Sequence, residues 1–390
     1  MKKADFVIIG GGVAGLTAMI ALQKMGISAT LYERSNPLKG IGAGFGLAAN
    51  AMQAFDLLGM KDGVLPLGHY LDSFELLDEK GRVLAAPDTK AISKKYHQDN
   101  FAIHRADLHA HLLSQIDPSS IVTGKEAINI EKHPSHQRIC FLDDTFVDAN
   151  YVLIADGVHS MLRQQLLPNS IPRYAGYTCW RAVIDNTSIR LEKGTETWGA
   201  KGRFGMTPLV GNKIYWYACI NSSPNNPKYA QYKVADLQNH FASYHEIIPK
   251  ILRETKDQDL LWHDIIDIAP INKFAFHRIL LLGDAAHATT PNLGQGACQA
   301  IEDIAVLVDE LKNQLTIEQA FANFEKRRLS RTAYITNTSW RIGKIAQWDN
   351  PLLIGIRNSI MRLLPESVKQ NGLNDLLKVN FIEINKKHGK

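Results

Sequence analysis

DFVIIGGGVAGLTAMIALQKM, residues 5–25, decides the fold. Five mostly apolar residues, Asp5 to Ile9, read as a short buried strand. Gly10-Gly11-Gly12-Val13-Ala14-Gly15 follows, and an apolar helical run continues to about Met25. This is G-x-G-x-x-G with the strand before it and the helix after it that the motif needs. Gly10 permits the tight turn, Gly12 lets the backbone approach a pyrophosphate, and Gly15 lets the helix pack close to the strand. Val13 and Ala14 open the helix, where free N–H groups favour an anion. A second strand from Ser28 to Tyr32 ends at Glu33, placed to accept a ribose hydroxyl, with Arg34 beside it. The reading is an α/β, Rossmann-like domain with a parallel sheet that binds a dinucleotide. NAD and FAD use the same turn, so it does not identify the ligand. The glycine-rich loop from Gly40 to Gly46 is unexpected in a plain NAD domain and suits backbone lying close to a flat ligand.

A second stretch, LLGDAAHATTPNLGQG at residues 281–296, repeats the strand-then-ligand pattern. Ile279 to Leu282 read as a buried strand, Gly283 breaks it, and Asp284 stands at its end. Thr290-Pro291-Asn292 is turn chemistry; Gly294 and Gly296 frame Gln295, and a helix begins near Ala297. A carboxylate there accepts sugar hydroxyls, and the helix start favours negative charge. Taken alone, this is equally an ordinary strand–turn–helix connection. The same device occurs at residues 151–157, where an apolar run ends at Asp156-Gly157.

Between these segments the pattern changes. Residues 71–85 read as a hairpin, and Arg105 stands near a helix start at residues 103–108. Residues 174–221 are strands rich in Tyr, Trp, Thr and Val, with a turn at Val210-Gly211-Asn212-Lys213. This inserted antiparallel sheet is expected to cover the ligand, with Arg181, Arg203, Met206, Tyr215 and Tyr217 on its ligand-facing side. Residues 231–254 read as one helix, and residues 339–377 as two or three. Trp340, Ile342, Ile345 and Trp348 form one apolar set there; Pro351, Leu352, Leu353, Ile354, Ile356, Ile360, Met361, Leu363 and Leu364 form another. That face is expected to pack on the body or form an oligomer contact, with a peripheral membrane surface as the minor alternative. Residues 386–390 read as a frayed end.

Composition limits the function classes. The 390 residues are 45% hydrophobic and 21% charged, typical of a soluble globular chain. A net charge of +5 without a dense basic block argues against nucleic acid. No secretion signal and no apolar run of about 18 residues is present, so an integral membrane protein is not expected and a cytoplasmic one is. The four cysteines, Cys140, Cys179, Cys219 and Cys298, have no metal-ligand spacing, so no metal site is expected.

Four features occur in one order: Gly10-x-Gly12-x-x-Gly15 with Glu33; Asp156-Gly157 with Ser160 and Arg163; Gly283-Asp284 before Pro291; and Gly294-Gln295-Gly296. In this the chain resembles the single-component, FAD-dependent aromatic hydroxylases, the p-hydroxybenzoate hydroxylase-like flavoprotein monooxygenases. Phe324-Glu325-Lys326-Arg327-Arg328 is similar to the family's Tyr-Glu-x-x-Arg segment, with Phe for Tyr. Arg173-Tyr174-Ala175-Gly176-Tyr177 and Asn358 resemble the branch of salicylate and urate hydroxylases and zeaxanthin epoxidase-like enzymes. The resemblance covers roughly residues 4–330.

The resemblance implies a discontinuous FAD-binding domain over residues 1–70, 100–172 and 276–330. It implies a substrate-binding β-sheet domain over 71–99 and 173–275, and a C-terminal helical segment over 331–390. It places Gly10, Gly12, Val13, Ala14 and Gly15 on the FAD pyrophosphate, Glu33 and Arg34 at the adenosine, and Arg105 near the ribityl or phosphate portion. Gly46 would lie near the cofactor, and Asp156-Gly157 near a groove shared by FAD and NAD(P)H. Asp284 would hold the ribityl chain, and Pro291, Gly294, Gln295, Gly296 and Ala297 would lie beside the flavin. The implied reaction consumes NADH or NADPH and inserts one atom of O2 into an aromatic, heteroaromatic or polyene substrate through a flavin C4a-hydroperoxide, by a monomer or homodimer. Candidate catalytic residues are Arg203, Tyr215 and His287, with His104 as a further base. Competing readings are an NAD-dependent dehydrogenase, a flavin-dependent halogenase (whose W-x-W-x-I-P signature is absent) and a non-catalytic flavin- or ligand-binding protein.

Overall fold

The computed structural model describes residues 4–38, 40, 44–71, 73–96, 100–365, 372, 375–379 and 381. Ile41, Gly42 and Ala43 of the glycine-rich loop, and the expected frayed end at 386–390, lie outside the described residues.

The first sheet has a parallel core of Ile279–Leu281, Phe146–Ile154, Ala4–Ile9, Ala29–Glu33 and Ile121–Thr123, in that spatial order. Its central strands read as unbroken apolar runs because both faces are covered: Phe6, Val7, Ile8, Val152, Leu153, Leu280 and Leu281 are fully buried. Register sets the geometry of the site. Ile9 pairs with Ile154, and Ile154 pairs with Leu281. The ladder continues through Ala155 N–H to Ile9 O (2.8 Å) and Leu282 N–H to Ile154 O (2.9 Å). The three strands therefore end level, and their carboxyl-end loops, starting at Gly10, Asp156 and Gly283, emerge side by side. A ligand of an open parallel sheet binds at that edge.

The second sheet has seven strands in the order Leu261–Ile268, Pro172–Asp185, Lys213–Asn221, Gly202–Leu209, Gly194–Gly199, Phe74–Asp78 and Val83–Ala85. All neighbours are antiparallel except Gly194–Gly199 with Phe74–Asp78. The hairpin at 210–213 turns through Gly211 (φ 75°) and Asn212 (φ 56°), the left-handed pair that a two-residue turn requires. Alternation divides the faces. Trp180, Met206, Ile214, Trp216 and Ala218 join Leu237, Phe241, Ile248, Ile251 and Leu252 in a separate core. Met206 thus faces away from the first domain, contrary to expectation. Tyr177, Cys179, Arg181, Arg203, Tyr215 and Tyr217 occupy the other face.

Residues 231–254 form two longer helices, Val234–His240 and Ile247–Glu254, rather than one. The break follows from Tyr244, whose buried hydroxyl donates to Gly202 O (2.9 Å) and accepts from Lys201 N–H (3.1 Å), drawing the chain back to the sheet. A small sheet of Gly44–Leu47, Phe101–His104 and Gly68–Tyr70 lies between the two larger ones. It takes Ile103 and His104 into a strand, and the helix begins at Arg105.

A 30-residue helix, Ile317–Ala346, crosses residue 330 without a break, and Pro351–Leu363 follows. The second apolar set packs on the body only in part: Met361 lies against the cluster of Leu84, Trp198 and Ala346, while Leu352, Leu353, Ile356, Ile360, Leu363 and Leu364 are exposed. Arg357 is the buried residue of that helix. Its guanidinium donates to Ile345 O (3.3 Å) and Ala346 O (3.2 Å), capping the preceding helix and fixing the orientation of its own. Among the described residues no helix is long and apolar enough to cross a membrane, and no His/Cys/Asp/Glu group could hold a metal ion.

Candidate functional site

The turn after the first strand has the geometry its glycines imply. Gly10 sits at φ 104°, and a Cβ there would strike the Ala155 backbone. A Cβ on Gly15 would collide with the Gly10 carbonyl, so the helix Val13–Lys24 closes directly onto the turn. A Cβ on Gly12 would meet open space, on the side where a ligand approaches. Glu33 is held at the rim: Oε2 accepts from Gly11 N–H (2.7 Å) and Oε1 from Ser35 N–H (2.8 Å).

Two cavities follow the sheet edge. The smaller, about 60 Å³, is lined by Gly10, Glu33, Arg34 and Asp156, with Tyr32 and Lys125. The larger, about 270 Å³, takes Gly12, Val13 and Ala14 from the first turn, Arg105 from its helix start and Gly157 from the second strand end. Asp284, Pro291, Gly294, Gly296 and Ala297 complete it from the last loop. Two helices, Val13–Lys24 and Gly296–Asn313, begin here without side-chain caps, so their first N–H groups are available to an anionic ligand. Phe45, Ala155, Thr289 and Ala300 also line the cleft and carry no sequence signal of that role.

Arg163 joins the two Asp-bearing loops. Fully buried, it donates to Val158 O (2.7 Å), to Ser170 and to Ala285 O (3.4 Å), while Ser160 caps its helix through Arg163 N–H. Asp156 stands between the cavities with a buried Oδ1 that has no partner. Burial pushes its carboxyl up to about 6, against the opposing pull of Ser160, Arg163 and Arg34. An orphaned acceptor, two uncapped helix starts and open space over Gly12 fit a ligand with sugar hydroxyls and phosphates.

The Asp156 shift has a measurable sign. Its folded value lies above the ordinary carboxylate value, so its contribution is most favourable in acid and is lost as pH rises through about 6. Asp156→Asn is expected to raise the unfolding free energy of the ligand-free protein by up to about 3 kcal/mol near pH 8, and not near pH 4. Denaturant titrations at the two pH values check this; an equal effect at both would refute it.

Several expected site residues point elsewhere. The His287 imidazole is buried behind the loop, its Nε2 2.7 Å from Asp303 Oδ2, and does not reach the cleft. The Gln295 side chain also turns inward: its Oε1 accepts from Asn50 Nδ2 (2.8 Å) and Gln299 Nε2 (2.9 Å). Gly46 lies in the small sheet, its carbonyl 3.7 Å from Cys298 Sγ, off the cleft lining. His104 contacts Asp107 at the helix start (3.4 Å). Asn292 ties the loop to its surroundings: Oδ1 accepts from the Tyr177 hydroxyl (3.0 Å), and Nδ2 donates to Ser339 O (2.9 Å). Behind these residues lies a buried polar cluster. Arg328 donates to Asp303 Oδ1 (2.7 Å) and Glu302 Oε2 (2.6 Å), Arg331 donates twice to Glu302 (2.6 Å each), and Gly283 N–H donates to Asp303 Oδ2 (2.8 Å). The sequence signal was Glu302-Asp303 between the apolar residues of the helix Gly296–Asn313, with Arg328 and Arg331 spaced three apart on the facing helix.

The second sheet meets the first domain beside the cleft, through Tyr177 at Asn292 and Tyr215 at Gly44. Tyr215 lies flat on Gly44, where a Cβ would strike its ring, and its ring centroid is 5.9 Å from that of Tyr217. Burial raises the Tyr177, Tyr215 and Tyr217 hydroxyls, so at neutral pH they act as hydrogen-bond donors and not as bases. Arg203 is 2% exposed and donates to Gln347 Oε1 (2.9 Å) and Glu196 Oε1 (3.2 Å).

Residues 3–338 match the family model described as "FAD binding domain". The chain is 32% identical over 366 residues to aurachin C monooxygenase/isomerase of Stigmatella aurantiaca, covering 93% of this chain and 95% of that protein. It is 31% identical, with the same coverage, to 2-heptyl-3-hydroxy-4(1H)-quinolone synthase of Pseudomonas aeruginosa. Its fold is similar to that of Klebsiella pneumoniae HpxO complexed with FAD and uric acid, with a TM-score of 0.88, 25% identity and 96% of each chain covered. The chain belongs to the FAD-binding-domain family of single-component aromatic hydroxylases, and it is an FAD-dependent monooxygenase.

Proposed function

We propose that FAD spans the two cavities, with its adenosine at Glu33 and Arg34 and its pyrophosphate at Gly12 and the start of the helix Val13–Lys24. Asp284 accepts from the ribityl chain, and the ring lies against Pro291, Gly294 and Gly296. Bound FAD would supply electron transfer from NADH or NADPH and activation of O2. The chain's own residues bind, orient and shield it. The free N–H groups of Gly296–Asn313 favour negative charge beside the ring. The Tyr215–Tyr217 face excludes water.

The substrate is an aromatic or heteroaromatic ring bearing an oxo or hydroxyl group, of the 4(1H)-quinolone kind named for two relatives. The supporting observation is the opposing face: aromatic rings packed on Gly44 and on Gly205, where a Cβ would strike Tyr217, with hydroxyls that stay neutral and can donate to a ring oxygen. Purified protein should be yellow, and NADH or NADPH should bleach it anaerobically. A 2-alkyl-4(1H)-quinolone should accelerate NAD(P)H oxidation and gain one oxygen by mass. Bleaching without oxygen transfer to any of quinolones, hydroxybenzoates and purines would favour a ligand-binding protein. Asp284→Ala should retain less FAD after gel filtration at an unchanged melting temperature; full occupancy would remove its assigned role.

A further inference from the structure

Cys179 and Cys219 occupy directly opposed positions on the neighbouring strands Pro172–Asp185 and Lys213–Asn221. Both lie on the face turned toward the cofactor domain, between Tyr177 and Tyr217, and both are buried. Opposed antiparallel residues hold their Cα atoms about 4.5–5.5 Å apart, within the roughly 4.4–6.8 Å that a disulfide spans. Register places Arg181 two residues beyond Cys179 on the same face, and Arg203 directly opposite Cys219. We propose that Cys179 and Cys219 form a peroxide-reactive dithiol that closes to a reversible cross-strand disulfide.

The chemistry divides between the two sulfurs. Its contact with Cys219, and then Arg181 and Arg203 nearby, hold the Cys179 thiol below its ordinary value against the effect of burial. The same partnership holds the Cys219 thiol well above its ordinary value. Arg181, the next residue on the same face of the strand, favours a thiolate at Cys179, which makes Cys179 the nucleophile and Cys219 the resolving thiol. The Cys179 thiolate attacks hydrogen peroxide, the O–O bond breaks, and one oxygen stays on sulfur as a sulfenic acid while the other leaves as hydroxide. Cys219 then displaces that oxygen as water, and the S–S bond forms. Two thiols are oxidised and one peroxide is reduced to two waters. Peroxide is the side product of a monooxygenase that oxidises NAD(P)H without transferring oxygen. Only this source of the oxidant rests on the function proposed above.

The test uses the FAD-loaded full chain. Added hydrogen peroxide should remove two hydrogens from the intact mass and yield a linked 179–219 peptide that dithiothreitol separates. Cys219→Ser should leave a dimedone-reactive sulfenic acid at residue 179, whereas Cys179→Ser should leave residue 219 unlabelled. A mass that only gains oxygen, or a linkage through Cys140 or Cys298, would overturn the proposal, and the wild-type map decides even where a variant folds poorly. A second arm supplies NADH or NADPH without substrate. Linkage abolished by catalase supports the internal source. Linkage with added peroxide but none on turnover overturns that source and leaves the dithiol standing.

Discussion

Arg328→Ala is expected to destabilise the protein by about 3–5 kcal/mol, because it removes one member of a buried ion cluster and leaves the others charged. Glu302 and Asp303 have no exposed surface, and burial alone would raise both carboxyls. Both are nevertheless held below their ordinary values, with Arg328 and Arg331 the main causes for Glu302, and His287 and Arg328 for Asp303. Depressed carboxyls contribute stability above their unfolded values and lose it as pH falls through the folded ones. The deficit of Arg328→Ala should therefore be largest at neutral pH and shrink in acid, as wild type loses the same contribution. Urea titrations across that range measure it. A loss below about 1 kcal/mol at neutral pH would mean that Arg331, Asn50 and Gln299 satisfy Glu302, and Gly283 N–H and His287 satisfy Asp303, without Arg328. The consequence reaches the site: Asp303 holds Gly283 N–H and His287, so the loop carrying Asp284 rests on this cluster.

Gly15→Ala has the second-largest expected effect, on the cofactor. The added methyl meets the Gly10 carbonyl, which is backbone and cannot rotate away. The helix Val13–Lys24 must move off the turn, taking its first N–H groups out of line with a pyrophosphate. FAD retained through purification should fall at least about tenfold, a change of about 1.4 kcal/mol in binding. Absorbance of flavin released by denaturation, per mole of protein, gives the number. Gly12→Ala is the paired control: its methyl faces open space, so the fold should hold while a bound pyrophosphate is crowded. Equal flavin content in Gly15→Ala and wild type would show that the close approach has no role in binding.

The cleft was legible in the sequence to the extent that its signals were local. Gly10, Gly12 and Gly15 are read from turn geometry, and Asp156 and Asp284 from apolar runs that stop at a carboxylate. The change of period gives the helix starts to within a residue or two: the expected starts at residue 103 and Ala297 lie at Arg105 and Gly296. Where side-chain direction mattered, local signals failed. Met206 and Arg203 are three residues apart on one strand, and alternation sends one into the helix-backed core and the other toward the cofactor domain. Nothing in the sequence sets which face is which until the neighbouring domain is placed. His287 and Gln295 stand inside the diagnostic loop, yet both turn back into the buried cluster. Their partners, Asp303, Asn50 and Gln299, come from helices whose packing no local pattern shows.

The sequence by itself determined the chain's class: strand–glycine-turn–helix units with acidic strand ends specify a dinucleotide-binding parallel sheet, since those constraints act within a few residues. Only the tertiary structure decided which side chains meet at the site. Level strand ends bring Gly10, Asp156 and Asp284 together, register faces Cys179 with Cys219, and the buried Arg328 cluster claims His287. Each depends on pairing between segments far apart in the chain, where the free energy comes from burial and hydrogen bonds that exist only once the chain has folded.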